Sequence, residues 1–180
     1  MSPDDVLEFW FSEIDSKNWF NSTPEFDAQL KARFESVYLS AIENELKDWE
    51  ATPKGCLALV IVLDQFPLNM YRGQARSFDG ESKSREVARH AIEKIFDKEI
   101  PKEQLAFLYL PFMHSEDLDD QNQSVQLYEN AGLRQNLRYA IHHREIVRKY
   151  GRFPHRNKIL GRESTEAEIA YLNSDEAFLG

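Results

Sequence analysis

Cysteine, glycine, proline and long apolar runs are all scarce in this sequence, and each scarcity closes off a class of protein. Cys56 is the only cysteine among 180 residues, so no internal disulfide can form and a disulfide-stapled miniprotein is excluded. Glycine and proline together number 14, below the share of about 12% usual for globular chains, which argues against a low-complexity or disordered chain. The longest apolar run, Cys56 to Leu63, has 8 residues, far short of the 18 or so a membrane span needs, so no membrane partner is expected. The first ten residues carry Asp4, Asp5 and Glu8 where a secretory leader would need a basic start and an apolar stretch, and the chain reads as cytoplasmic. Also absent are a Gly-x-Gly-x-x-Gly loop, a Walker lysine loop, a His-Glu-x-x-His pair and a Gly-x-Ser-x-Gly elbow. No cofactor is therefore expected.

What is present is a well-supplied core and an uneven charge. Twelve Phe, seven Tyr and three Trp fit one packed domain over residues 1–180. The formal net charge is −9, yet Arg134 to Arg162 holds nine basic residues and Glu145 as the one acid, so the rest of the chain is correspondingly more acidic. Such asymmetry implies either an electrostatic match within the chain or a site for an anion. The acidic balance speaks against a nucleic-acid partner.

Punctuation and periodicity give the fold class. Ser2-Pro3, Thr23-Pro24 and Thr52-Pro53 each set a capping hydroxyl before a proline, as at the N-cap and first position of a helix. Apolar residues then recur every three or four positions from Phe26 to Trp49, from Val87 to Phe96 and from Leu133 to Tyr150. Thr165-Glu166-Ala167-Glu168 spells a capping box for a last helix. The two most apolar segments, Cys56 to Leu63 and Leu105 to Met113, have no alternating partners to pair with as strands and are expected to be helical. The expectation is an all-α chain of about eight or nine helices, stacked as successive antiparallel hairpins with those two in the middle.

Three segments combine the residue types that bind or transform ligands. Asp64 and Gln65 follow a run of apolar residues and precede Pro67, and Arg72 lies just beyond. A carboxylate so close to a core must be paired or hydrogen-bonded, with Arg72 or an arginine of the basic segment as the expected partner. Pro111 precedes His114, Ser115, Glu116 and Asp117 in the same way, and a proline in a helix can kink it and aim neighbouring polar groups into a cleft. On the basic helix, a projection at 100° per residue puts Leu137, Tyr139, Ala140, Ile141, Ile146, Val147 and Tyr150 in one broad arc with Asn136, His143 and Arg144. Arg134, Arg138, His142 and Lys149 fall outside that arc and are expected in solvent. The loop that follows carries Arg152, His155, Arg156 and Asn157 around Pro154, a set able to donate to carboxylate or phosphate oxygens. Arg156 and His155, placed after the rigid proline, are expected at an open pocket. Spacings such as Glu86/His90, His142/Glu145 and His114/Glu116/Asp117 are too weak for a metal site, and none is expected.

Val6-Leu7-Glu8-Phe9-Trp10-Phe11, Trp19-Phe20, Asp64-Gln65-Phe66-Pro67, the stretch from Tyr109 to Leu118 and Gly151 to Asn157 together resemble a bacterial family known as domain of unknown function 924. The likeness runs from about Pro3 to Leu172, with Leu68 and Met70 departing from the family pattern. It implies an all-helical fold related to tetratricopeptide arrays and brings no established activity. On chemistry alone, the expected function is binding of a small anionic or phosphorylated ligand, or an acidic peptide end, in a cleft lined by Asp64, Gln65, Arg72, His114, Glu116, His143, Arg152, His155, Arg156 and Asn157. One rival is a hydrolase or transferase in which His114, His143 or His155 acts as general base, oriented by Asp64, Glu116 or Asp117. The other is a protein-interaction scaffold.

Overall fold

The computed structural model describes residues 1–19 and 22–179, of Asn18 the backbone only; Phe20, part of the Trp19-Phe20 pair, lies outside them. The described residues form helices joined by turns and short loops, with no strand. The expected caps form. Ser2 Oγ accepts from Asp5 N at the start of α1 (Pro3–Glu8), Thr23 Oγ1 from Phe26 N at α2 (Pro24–Ile42), and Thr52 Oγ1 from Gly55 N at α3 (Pro53–Val60). Each hydroxyl satisfies one of the four amides that a helix start leaves without a partner, and the proline after it gives up an N–H that had none.

The chain divides into two compact units, Met1–Arg72 with Arg76–Pro111, and Gly73–Ala75 with Phe112–Gly180. One boundary falls inside α6 (Lys102–Met113), and the others flank the short stretch Gly73–Ala75.

In the first unit α1 packs on α3, α2 on α4 (Phe66–Met70) and α3 on α5 (Glu81–Glu93). Its centre is aromatic: Phe34 lies 4.7 Å from Phe9 and 4.8 Å from Phe66, ring centre to ring centre, and Trp10 lies 5.6 Å from Phe66. Cys56 to Leu63 is helical as expected, but α3 passes into α4 through a π turn over Ile61–Gln65. Pro67 supplies the reason. It has no N–H for the carbonyl four residues back, that of Leu63, so regular α-helical bonding is interrupted there. The backbone of Gly80 approaches that same carbonyl so closely that a Cβ at residue 80 would lie 2.1 Å from the Leu63 oxygen. Only glycine fits there.

In the second unit α7 (Leu118–Asn130) and α8 (Arg134–Tyr150) pack as a hairpin, followed by a 3₁₀ turn at Pro154–Arg156 and by α9 (Glu166–Leu172). Gly151, at φ +71, ends α8 in the left-handed conformation that glycine adopts without strain. The arc of α8 is narrower than the projection suggests. Ala140, His143, Ile146 and Val147 are buried, whereas Tyr139 and Ile141 are 55% and 40% exposed. The buried stripe is the width one packed neighbour covers, and these two residues sit at the arc's edge.

Candidate functional site

Asp64, Gln65 and Arg72 belong to the first unit, and the other candidate residues to the second. Asp64 and Gln65 sit side by side in the π turn, both buried, with Gln65 Nε2 donating to Asp64 Oδ2 at 2.6 Å. Asn69 Nδ2 donates to the Gln65 carbonyl at 3.0 Å. Arg72, one of the two partners expected for Asp64, holds a different carboxylate: its Nε donates to Asp27 Oδ2 at 2.9 Å and its Nη2 to Asn69 Oδ1 at 2.9 Å. It thereby ties the end of α4 to the first turn of α2.

The turn between α6 and α7 is fixed by its own polar groups. Gln121, fully buried on α7, donates through Nε2 to the carbonyls of Met113 and Ser115, both at 2.7 Å. Ser115 Oγ donates to Asp120 Oδ2 at 2.7 Å. Asp117, considered above as an orienting acid, is the N-cap of α7 and accepts from Asp119 N and Asp120 N. With both ends of the turn held, Glu116 has a set direction. It accepts Arg162 Nη1 and Nη2 at 2.6 and 2.9 Å, and Phe153 N at 2.7 Å. Burial alone would raise the Glu116 carboxyl, but the Arg162 bonds and the Phe153 amide outweigh it and hold the group below its ordinary range.

Much of the positive charge in the loop after α8 is met within the second unit. Arg152 Nε and Nη2 form a bidentate pair with Glu168 at 2.7 and 2.9 Å. Those bonds draw the Glu168 carboxyl down to about 2, against the opposing effect of burial. Arg162 Nε donates to Asn157 Oδ1 at 2.9 Å, and Asn157 Nδ2 to Ser164 Oγ at 3.0 Å. Arg152, Asn157 and Arg162 are thus bracing residues that hold the loop against α9 and the α6–α7 turn. For these residues the charge asymmetry is an internal match.

His143, His155 and Arg156 converge on Phe153. The imidazole of His143 lies 5.5 Å and that of His155 5.6 Å from the Phe153 ring, and the Arg156 guanidinium 4.8 Å over it. Phe178 closes the group, 4.5 Å from His143 and 5.1 Å from His155. Arg156 is buried, where an open rim was expected. His143 Nδ1 contacts the Tyr139 carbonyl at 2.8 Å and therefore carries the proton on that side. His155 Nδ1 is buried with no hydrogen-bond partner among the described residues. Burial pushes His143 down to about 3, with His114, His142 and His155 adding repulsion against the helping Tyr139 bond. Burial and then Arg156 push His155 down to about 4, with Glu116 opposing and His114 and Arg162 reinforcing. Both imidazoles are neutral at pH 7.

Sequence reasoning named Arg162 only as the end of the basic segment and did not single out Phe178 or Gln121. An aromatic after Asp175-Glu176 in an otherwise polar stretch was the available signal for Phe178. Among the described residues no three His, Cys, Asp or Glu side chains are placed to hold a metal ion, and no helix is long and apolar enough to cross a membrane.

The described residues thus form an all-helical fold with a histidine–arginine cluster just beyond α8. The chain belongs to the bacterial family of proteins of unknown function DUF924, which it matches over residues 6–176. It is also similar to a solved structure, a protein of unknown function from Agrobacterium tumefaciens, at 37% identity and a TM-score of 0.90, over 95% of this chain and 96% of that one. No curated protein matches the sequence.

Proposed function

We propose that this protein binds a small anionic group, a phosphate, a carboxylate or an acidic peptide end, at His155 in the second unit, with His143, His114 and Arg156 around it. The observation that carries this reading is the buried His155 Nδ1 left without a partner. A buried polar atom normally finds one, and an anionic oxygen is a fitting acceptor for an imidazole N–H. The Arg156 guanidinium is the leading charge acting on His155, ahead of Glu116, and a positive charge there favours an anion at the same point. General-base catalysis has less behind it. A histidine held near 3 or 4 is a weak base at neutral pH, and neither His143 nor His155 hydrogen-bonds a carboxylate among the described residues. Asp64, Gln65 and Arg72 belong to the first unit and are not part of this proposal.

Thermal unfolding in inorganic phosphate, phosphoserine or succinate, each against sodium chloride at equal ionic strength, tests the reading. At least one of these anions should raise the melting temperature beyond chloride, with about 2.7 kcal/mol gained at 100 times the dissociation constant. H155A should abolish that increment. Increments equal to that of chloride for every anion would refute the proposal.

A further inference from the structure

The group that fills the space between His143 and His155 is Phe178, a residue of the acidic segment 174–179. Its ring meets His143 at an interplanar angle of 61° and His155 at 85°. These are edge-to-face geometries, the arrangement aromatic rings prefer over a flat sandwich. Phe153 backs both imidazoles from within, so the slot has two imidazole walls and a phenyl floor. Residues 174–179 are held there by the Phe178 ring contacts, which include His142 at 6.2 Å, and by two hydrogen bonds to Tyr171. Phe178 N donates to Tyr171 Oη at 2.9 Å, and Ser174 Oγ to the Tyr171 carbonyl at 2.7 Å. Asp175 and Glu176 remain exposed, and Glu176 faces Lys149 electrostatically. Phe178 itself is half-buried.

We infer that this slot recognises an acidic peptide segment bearing an aromatic side chain, and that residues 174–179 occupy it as an internal competitor. The inference rests on the anion-binding reading above and narrows it to one ligand class. An aromatic ring takes the place of Phe178 between the imidazoles, while an adjoining carboxylate reaches the positive end of the site, where His155 and Arg156 lie. A phosphorylated metabolite without a ring would leave the slot empty.

The test compares the parent with F178A and with a chain ending at Asn173, using the peptide Ser-Asp-Glu-Ala-Phe-Leu and inorganic phosphate as probes in calorimetric titrations. F178A should bind the peptide at least tenfold more tightly than the parent, because the competitor is gone, and the shortened chain should do the same. The analogue with Ala for Phe should bind both variants at least tenfold more weakly than the parent peptide does, through its carboxylates alone. Peptide affinity equal in parent and variants would overturn the internal competition. Phosphate binding without peptide binding would overturn the ligand class and leave the anion site standing, whereas binding of neither probe to any variant would remove both.

Discussion

Replacing Glu116 by alanine is expected to cost about 3 kcal/mol of stability, the low end of what breaking a buried ion pair costs. The carboxylate is shared by three donors, the two Nη groups of Arg162 and the Phe153 amide, at 2.6 to 2.9 Å. Its removal leaves a half-buried guanidinium and an amide beside a fully buried Phe153 to find water. A pair of similar length gives the control. Lys54 and Asp4 meet at 2.8 Å with both side chains about 70% exposed, so Asp4→Ala should change stability by about 0.5 kcal/mol or less. Urea unfolding of the two variants checks the contrast. A loss below about 1 kcal/mol for Glu116→Ala would mean that Arg162 is well solvated without it.

Acid should destabilise the fold well above the pH at which carboxylates titrate. His143 and His155 protonate near 6.5 in an unfolded chain but only near 3 and 4 in the folded one. Unfolding therefore takes up protons below about pH 6.5. The stability these neutral histidines contribute is complete above that pH and is lost as pH falls toward 4 and then 3. Between pH 7 and 5 the loss amounts to about 2 kcal/mol for each, or about 4 together. Glu116 and Glu168, both held below their ordinary range, add a further loss at lower pH with the same sign. Urea midpoints at pH 7, 6 and 5 read the effect. A flat profile across that range would place both imidazoles in water.

The helices were legible because their signals are local. A hydroxyl three residues from the amide it caps, or an apolar residue every third or fourth position, needs no knowledge of the rest of the chain, and the caps at Ser2, Thr23, Thr52 and Thr165 all formed. Projection of α8 also placed His143 on the buried side and Arg134, Arg138, His142 and Lys149 in solvent. It overreached at Tyr139 and Ile141, since the width of a buried stripe depends on how many neighbours pack against the helix. The π turn at Ile61–Gln65 was signalled by Pro67 as an interruption of the helix, but its form was not. Pairings were least legible. Glu116 and Arg162 lie 46 residues apart, and nothing in a chain of 22 basic and 31 acidic residues says which of them meet. The same holds for Arg72, one of the two partners the sequence offered Asp64, the other being an arginine of the basic segment; the fold sets it on Asp27.

The central claim is that His155 is a neutral, partner-seeking imidazole at an anion site, and its own titration tests that most directly. Long-range proton–nitrogen NMR spectra of the labelled protein, with His143 and His155 assigned from single variants, would follow each imidazole from pH 8 to 4 with and without phosphate. The account predicts that His155 stays neutral down to about 4 in the free protein and that phosphate moves its midpoint up by about one unit or more, while the signals of His90 in the first unit do not respond. A His155 that titrates near 6.5 without phosphate, or whose midpoint is the same with and without it, would contradict the account.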